Sequence, residues 1–373
     1  MTVLVICGNI GLDWPVRVII SSGRLVKQKN YDNAIAMERG VIMAKKNYNV
    51  VGIDVGYGFV KAVTGLDDKP VIFPSLISPA SDGDVGIGKA RTIFTVDSTD
   101  YFVGADAGVS KLARHTVSRD RLKSSEFKVL FLYALCKLFP KGIGDIFVAT
   151  GLPGSWLKDA EELSRSLTGP FNVKVDGKAV GHFVDKVEPY PQAFGSWVRE
   201  AFTVNGNGKP TVADKNLATQ PTLVVDFGTA TTGFAMLSGN YISERSGSIE
   251  VGMNDVLVGL RRACSAELRY EPSYTELVKA TMTGKLTVFG KAQDITSLLA
   301  PHKDNLVDAA VSQANTLWQG GQQASTLLLT GGGASVVGDE FKRKFGHPNT
   351  ILLPESQTAN VKGLWLYGKY RSA

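Results

Sequence analysis

Cysteine is scarce in this chain. Cys7, Cys136 and Cys264 are the only three in 373 residues, far apart and without a CxxC pair. That argues against a disulfide framework or a thiolate zinc site and fits a reducing, cytoplasmic compartment. Histidine is almost as rare, and His115, His182, His302 and His347 stand alone, spelling no metal-ligand spacing. Long apolar runs are missing too. The longest, VLFLYALCKLF at 129–139, contains Lys137 and is about half of what a bilayer needs. The amino terminus lacks a basic n-region, and Asp13 and Pro15 interrupt its apolar stretch, so a signal peptide is not expected.

The body of the chain has no strong excess of one charge. The net charge is +6, but residues 1–47 hold seven Lys and Arg against three Asp and Glu, and the remainder holds 34 against 32. A near-neutral body argues against a direct nucleic-acid binder. Two familiar phosphate motifs also fail. GDVGIGKA at 83–90 has P-loop spacing as far as Lys89, but Ala90 stands where Ser or Thr must hold Mg²⁺. The strand-like RTIFTV follows it, where a helix is required. GYGFVK lacks the third glycine of a dinucleotide fingerprint.

The length predicts about two domains. Residues 1–47 read differently from the rest, with apolar TVLVI and VRVII followed by polar SGRLVKQKNYDN. The folded unit is expected to begin near Tyr48, which leaves 1–47 as an extension and makes Met43 a candidate translation start. From Val50 strands and helices alternate. NVVGIDV with FVKAVTG reads as a hairpin, TIFTV and YFVGADA as short strands, and DIFVATG as a buried strand. SSEFKVLFLYALCKLF is expected to be a helix capped by Ser124 or Ser125. SWLKDAEELSRSL and PQAFGSWVREAF are expected to be helices. FNVKVDGKAVGHFVDKVEPY reads as a hairpin turning at Asp176 and Gly177. The Gly-, Asn- and Pro-rich stretch 203–221 reads as a boundary or surface loop. The divisions expected are 48–202 for a first domain, with 356–373 packing back on it, and 203–355 for a second.

A repeated signal carries the functional reading. VGIDVGYGFVKA at 51–62 and LVVDFGTATTGF at 223–234 share one plan: apolar strand, Asp, apolar residue, Gly, small or polar residues, second strand. One such element is most often a plain hairpin. Two, one opening each half, indicate a duplicated domain with a nucleotide between the copies. A glycine turn exposes backbone N–H groups to a phosphate. A carboxylate at its mouth cannot bind phosphate, but it can hold Mg²⁺ or its waters. Asp54 and Asp226 occupy that place. The turn residues Gly56, Tyr57 and Gly58, and Gly228, Thr229, Ala230 and Thr231, would cradle phosphates, with Lys61 reaching back from the outgoing strand. Thr232 is a further hydroxyl. A third glycine element, TLLLTGGGASVVG from Thr326, ends a buried strand in Gly331, Gly332 and Gly333 before a helix near Ser335. It reads either as a plain strand–helix turn or as a slot for adenine or ribose, flat rings that side chains would block.

With these pieces the chain resembles the actin-like ATPases. DVGYGFVKA looks like their first phosphate loop, VVDFGTATT like the second and TGGGAS like the adenosine motif. ANVKGLWLYG at 359–368 resembles their second connecting helix. YFVGADA, VATGLP and PQAFG are similar to the plasmid-segregation branch, the ParM/StbA type. The resemblance implies an α/β, ribonuclease H-like fold, with two similar domains flanking a nucleotide cleft. It implies a catalytic Gln or Glu on the connecting helix that positions water, matched by Gln192, with Glu188 as the competing choice. It further implies ATP and Mg²⁺ as ligands, with Asp54 and Asp226 holding the metal through water. Self-assembly into filaments would follow, with a DNA-binding adaptor on centromere-like plasmid DNA as partner. A non-polymerising kinase and an ATP-binding regulatory protein of the same fold are the alternatives.

Overall fold

Each repeated signal opens a sheet, and the two sheets are wired alike. The structure, a computed structural model, describes residues 46–80, 91–108, 122 and 124–372. The extension apart from its last residues, the 83–90 motif and the stretch after YFVGADA lie outside them. In chain order the first half contributes β1 (Asn49–Val55), β2 (Phe59–Val63), β3 (Val71–Pro74), β4 (Ile77–Pro79), β5 (Phe94–Val96), β6 (Thr99–Val103), α1 (Ala105–Gly108), α2 (Ser125–Leu138), β7 (Ile143–Leu152), α3 (Ala160–Ser166), β8 (Gly169–Val175), β9 (Lys178–Pro191) and α4 (Gln192–Ala201). Then follow β10 (Phe202–Val204), β11 (Pro210–Val212), α5 (Lys215–Thr219), β12 (Thr222–Phe227), β13 (Thr232–Leu237), β14 (Gly247–Ile249), α6 (Met253–Leu268), α7 (Tyr274–Thr283), β15 (Lys285–Val288), β16 (Lys291–Asp294), α8 (Thr296–Trp318), β17 (Thr326–Thr330), α9 (Ala334–Phe345), β18 (Thr350–Leu352) and α10 (Ser356–Ser372).

The first sheet runs β3-β2-β1-β7-β9 and the second β14-β13-β12-β17-β18. In both, the first two pairings are antiparallel and the last two parallel. The first sheet continues past β9 through β8, β5, β6 and β4 as an antiparallel arm. This is the duplication expected from the two Asp-Gly strands, in the ribonuclease H-like wiring that the resemblance implies.

The central strands are apolar on both faces because each face meets a different layer. Val51 and Ile53 of β1 pack with Phe127, Phe131 and Leu135 of α2. Leu223, Val225 and Phe227 of β12 pack with α6, α8 and α9. The alternate residues, Val50 and Val224, join one shared core with Phe194, Trp197, Val361 and Leu364 of α4 and α10. The two connecting helices therefore lie between the sheets. Trp365 Nε1 of α10 donates to Val50 O at 3.1 Å, tying that helix to β1.

Local chemistry explains some of the element ends. Ser124 Oγ accepts from Phe127 N at 3.2 Å and caps α2. Asp176 and Gly177 both take left-handed φ, 49° and 76°, as a two-residue hairpin turn demands. Two expectations change. The helix expected over SWLKDAEELSRSL is a 3₁₀ turn, Gly154–Asp159, followed by the short α3, and Asp159 supplies no side-chain cap. The stretch 203–221 is no plain loop. It folds as the hairpin β10–β11 and as α5, which Asp214 caps through Leu217 N at 3.0 Å. Leu217 and Ala218 bury against α4, where Trp197 Nε1 donates to Leu217 O, a contact too local for periodicity to show. The helix expected near Ser335 is present and starts at Ala334.

Cys136 and Cys264 are free and buried. Burial pushes the Cys136 thiol up to about 12, so it is protonated and inert. Among the described residues no helix is long and apolar enough to cross a membrane.

Candidate active site between the two halves

Asp54 is the last residue but one of β1, with only 3% of its surface exposed. Both its oxygens have partners. Lys61, its antiparallel neighbour on β2, places Nζ 3.0 Å from Oδ2. Gln192, the first residue of α4, donates from Nε2 to Oδ1 at 2.9 Å. Asp226 holds the same place in β12, also buried, and Asn360 of α10 donates from Nδ2 to its Oδ2 at 2.7 Å. Burial, and next the charge of Asp54, push the Asp226 carboxyl up to about 6, against the pull of Lys61 and Asn360. Strands from opposite halves thus bring two carboxylates and one lysine together.

The glycine turns meet as well. A Cβ on Gly58, in the first turn, would lie 2.4 Å from Thr229 Oγ1 in the second. A Cβ on Gly331, at φ +89°, would lie 2.3 Å from Asp226 Oδ1. Only glycine lets the third element approach this closely. Gly333 N donates to Phe227 O at 2.9 Å and Gly331 N to Ser356 O at 3.0 Å, fixing that element behind the second turn, with Gly332 exposed. Gly56, Gly228 and Ala230 belong to the same facing turns. A cavity of ≈ 10 Å³, about one water, is lined by Gln192, Asp226, Thr231, Pro153, Gly154 and Tyr241, among others.

Not every candidate faces this cluster. Tyr57 packs edge-on against Trp156, with centroids 5.8 Å apart, so its side chain supports the turn from within. Thr232 donates its hydroxyl to Val251 O at 2.8 Å and is committed to the framework. Glu188 joins Arg371, Lys186 and the Tyr190 hydroxyl instead of the Asp54–Asp226 pair. Burial would raise its carboxyl, but Arg371 and Lys186 bring it down to about 2. Sequence reading missed Asn360, Ser196 and Thr330. The signal was present in Asn360, an amide inside the apolar run ANVKGLWLYG.

The chain matches two family models. The N-terminal domain of actin-like proteins covers residues 52–195, and the C-terminal domain of the archaeal actin homologue, MreB-like, covers 224–343. With both halves of the cleft accounted for, the chain belongs to the actin-like proteins and has their two-domain α/β fold. Among solved structures, an archaeal actin homologue in complex with ADP is 20% identical with a TM-score of 0.69, over 86% of this chain and 99% of that one. A ParM from Clostridium botulinum, solved as a 15-stranded filament, is 21% identical with a TM-score of 0.71, over 87% and 100%. The psk41 ParM in its apo form is 20% identical with a TM-score of 0.64, over 87% and 98%. The likeness to ParM is one of fold. No curated protein matches the chain in sequence.

Proposed function

We propose that this protein is an ATPase whose nucleotide sits between the halves and whose subunits assemble into filaments. The observation that carries the reading is the facing pair Asp54 and Asp226, one from each repeated hairpin, both buried. Two buried carboxylates beside a single lysine are short of positive charge. The donor set fits Mg²⁺, which takes oxygen ligands, keeps several waters and borrows others from phosphate. No cluster of three or more His, Cys, Asp or Glu that would suit an all-protein cage exists among the described residues. Bound there, held through water by Asp54 and Asp226, Mg²⁺ would supply charge neutralisation for a polyphosphate.

The chain's own residues do the rest. Backbone amides of 56–58 and 229–231, with Lys61, hold phosphate oxygens, since phosphoryl transfer needs positioning and neutralised charge above all; Gly228 N, expected among them, donates to Asp226 O and Thr231 O and shapes the turn instead. Gly331, Gly332 and Gly333 back the adenosine. Gln192 orients the attacking water. It lines the water-sized cavity together with Thr231 and Asp226, whereas the Glu188 carboxylate is already held by Arg371 and Lys186. Asp54, in turn, fixes the Gln192 amide. In domain terms, residues 48–202 with α10 form one domain and 203–355 the other.

The ADP complex of the archaeal homologue and the ParM filament support nucleotide binding and self-assembly by likeness. A cytoplasmic role in plasmid or DNA segregation, with a DNA-binding adaptor, extends that likeness to function. Electron microscopy of the purified protein with and without ATP–Mg²⁺, beside phosphate release without any added acceptor, tests the proposal. Phosphate release without filaments would leave a soluble ATPase. Neither would leave a nucleotide-binding or regulatory protein.

A further inference from the structure

Asp226 does not orient itself. We infer that Asn360 is a positioning residue for the Asp226 carboxylate, and that Ser196 fixes the direction in which its amide points. The inference rests on the nucleotide reading above.

Asn360 Nδ2 donates to Asp226 Oδ2 at 2.7 Å. Its Oδ1 accepts from Ser196 N at 3.2 Å and from Ser196 Oγ at 2.5 Å. A backbone N–H can only donate, so the atom facing Ser196 N must be the amide oxygen. The NH₂ group is thereby left facing Asp226, and the amide cannot flip without losing bonds at both ends. Ser196 Oγ also stands 2.6 Å from Thr330 Oγ1. Every member is buried: Asp226 7%, Asn360 6%, Ser196 0% and Thr330 0% exposed. Four polar side chains at such depth are costly unless satisfied, and satisfied they fix one arrangement.

The members come from β12, α10, α4 and β17, and hence from both halves and both connecting helices. The two helices touch backbone to backbone at this point. A Cβ on Gly195 would lie 2.3 Å from Asn360 O, and one on Gly363 1.7 Å from Gly195 O. Asn360 therefore occupies the helix crossing with its main chain and holds Asp226 with its side chain. With Oδ2 engaged, Asp226 has Oδ1 left, beside Gly331. Misalignment of about 1 Å at such a group is enough to cost about 100-fold in rate.

The test compares the full chain with Asn360→Ala, Asn360→Asp and Ser196→Ala. The readouts are Mg²⁺ dependence of binding to a fluorescent ADP, steady-state phosphate release and Tm. Asn360→Ala is expected to raise the half-saturating Mg²⁺ about tenfold and to lower turnover about 100-fold. Asn360→Asp keeps the shape and the acceptor for Ser196, but it makes a buried carboxyl pair with Asp226 that shares one proton, so it is expected to lose turnover at least as strongly. Ser196→Ala leaves the Asn360–Asp226 bond in place and keeps the test decisive if the Asn360 variants are unstable. Ser196→Ala retains the backbone donor and should shift Mg²⁺ dependence in the same direction by about threefold. A lowered Tm with unchanged Mg²⁺ dependence and turnover in the Asn360 variants would make the amide structural only and overturn the inference. A parent protein without Mg²⁺-dependent nucleotide binding would instead overturn the nucleotide reading, and the inference with it.

Discussion

Gln192 and Asp54 are joined by a hydrogen bond of 2.9 Å across 138 positions of sequence. The bond links the first residue of a connecting helix to the mouth of the first glycine turn, and it orients the side chain that the proposed hydrolysis depends on.

Replacing Gln192 with Ala should slow phosphate release by about 100-fold, the scale of a positioned catalytic group, while fluorescent ADP binding stays near the parent value. Filaments formed with ATP should persist longer. Single-turnover kinetics check the first point and time-resolved light scattering the second. Parent-like hydrolysis in Gln192→Ala would remove it from the mechanism.

Asp226→Ala should abolish hydrolysis, with a loss of about 3–4 kcal/mol in transition-state stabilisation, and leave the circular dichroism spectrum unchanged. The parent protein should also respond to acid at this site. Its carboxyl is pushed up to about 6 by burial and by Asp54, so between the ordinary carboxylate range and about 6 the metal-free folded state holds a proton that the unfolded chain does not. Through that window the metal-free protein loses stability as pH rises, and above it the cost is complete. Protons and Mg²⁺ compete for the same oxygens. Added Mg²⁺ with ADP should therefore raise Tm more at pH 7.5 than at pH 5.5, and an equal rise at both would refute the assignment.

Glu188→Ala should act on stability and not on chemistry. The side chain ties β9 to Arg371 at the end of α10, and losing charge-assisted bonds of this kind costs about 1–3 kcal/mol. Because the Glu188 carboxyl is held down to about 2, the stability it contributes is present above the usual carboxylate range and is lost as pH falls from there toward 2. Denaturant titrations at pH 7 and pH 3 should differ less in Glu188→Ala than in the parent. A variant with normal stability and no phosphate release would return the water-orienting role to Glu188.

Assembly should need a triphosphate and Mg²⁺, show a critical concentration and reverse after hydrolysis. A head-to-tail contact does not close on itself and so builds a filament. Pelleting against protein concentration with ATP, with ADP and with a slowly hydrolysed analogue decides it. Equal pelleting with ADP and ATP, or a monomer throughout with the analogue, would end the filament reading.

Phe289→Asn should stabilise the fold by about 0.5–1 kcal/mol. Phe289 and Gly290 form the two-residue turn between β15 and β16 at φ 48° and 74°, a place that favours Asn-Gly, and the Phe ring is 92% exposed with little packing to lose. A lowered midpoint in denaturant would contradict this.

The sequence by itself determined the duplication. Strands apolar on both faces, each closed by Asp, an apolar residue and Gly, sit at matching places in the two halves. That order is local, because a turn's chemistry is set by its own few residues. It placed Asp54, Asp226, Lys61 and the glycines, and Gln192 by resemblance. It showed no strand or helix in 203–221, where two buried residues of a five-residue helix are too few to mark a period. It also left Gln192 and Glu188 undecided. The tertiary structure puts those two in different surroundings. Both lie near the end of β9, yet one meets a strand end 138 residues away and the other the last turn of α10. The Asn360–Ser196 bridge was out of reach for the same reason. A buried amide declares its need for partners in sequence, but which partners it finds depends on how two helices cross, and that crossing is fixed by packing between the sheets.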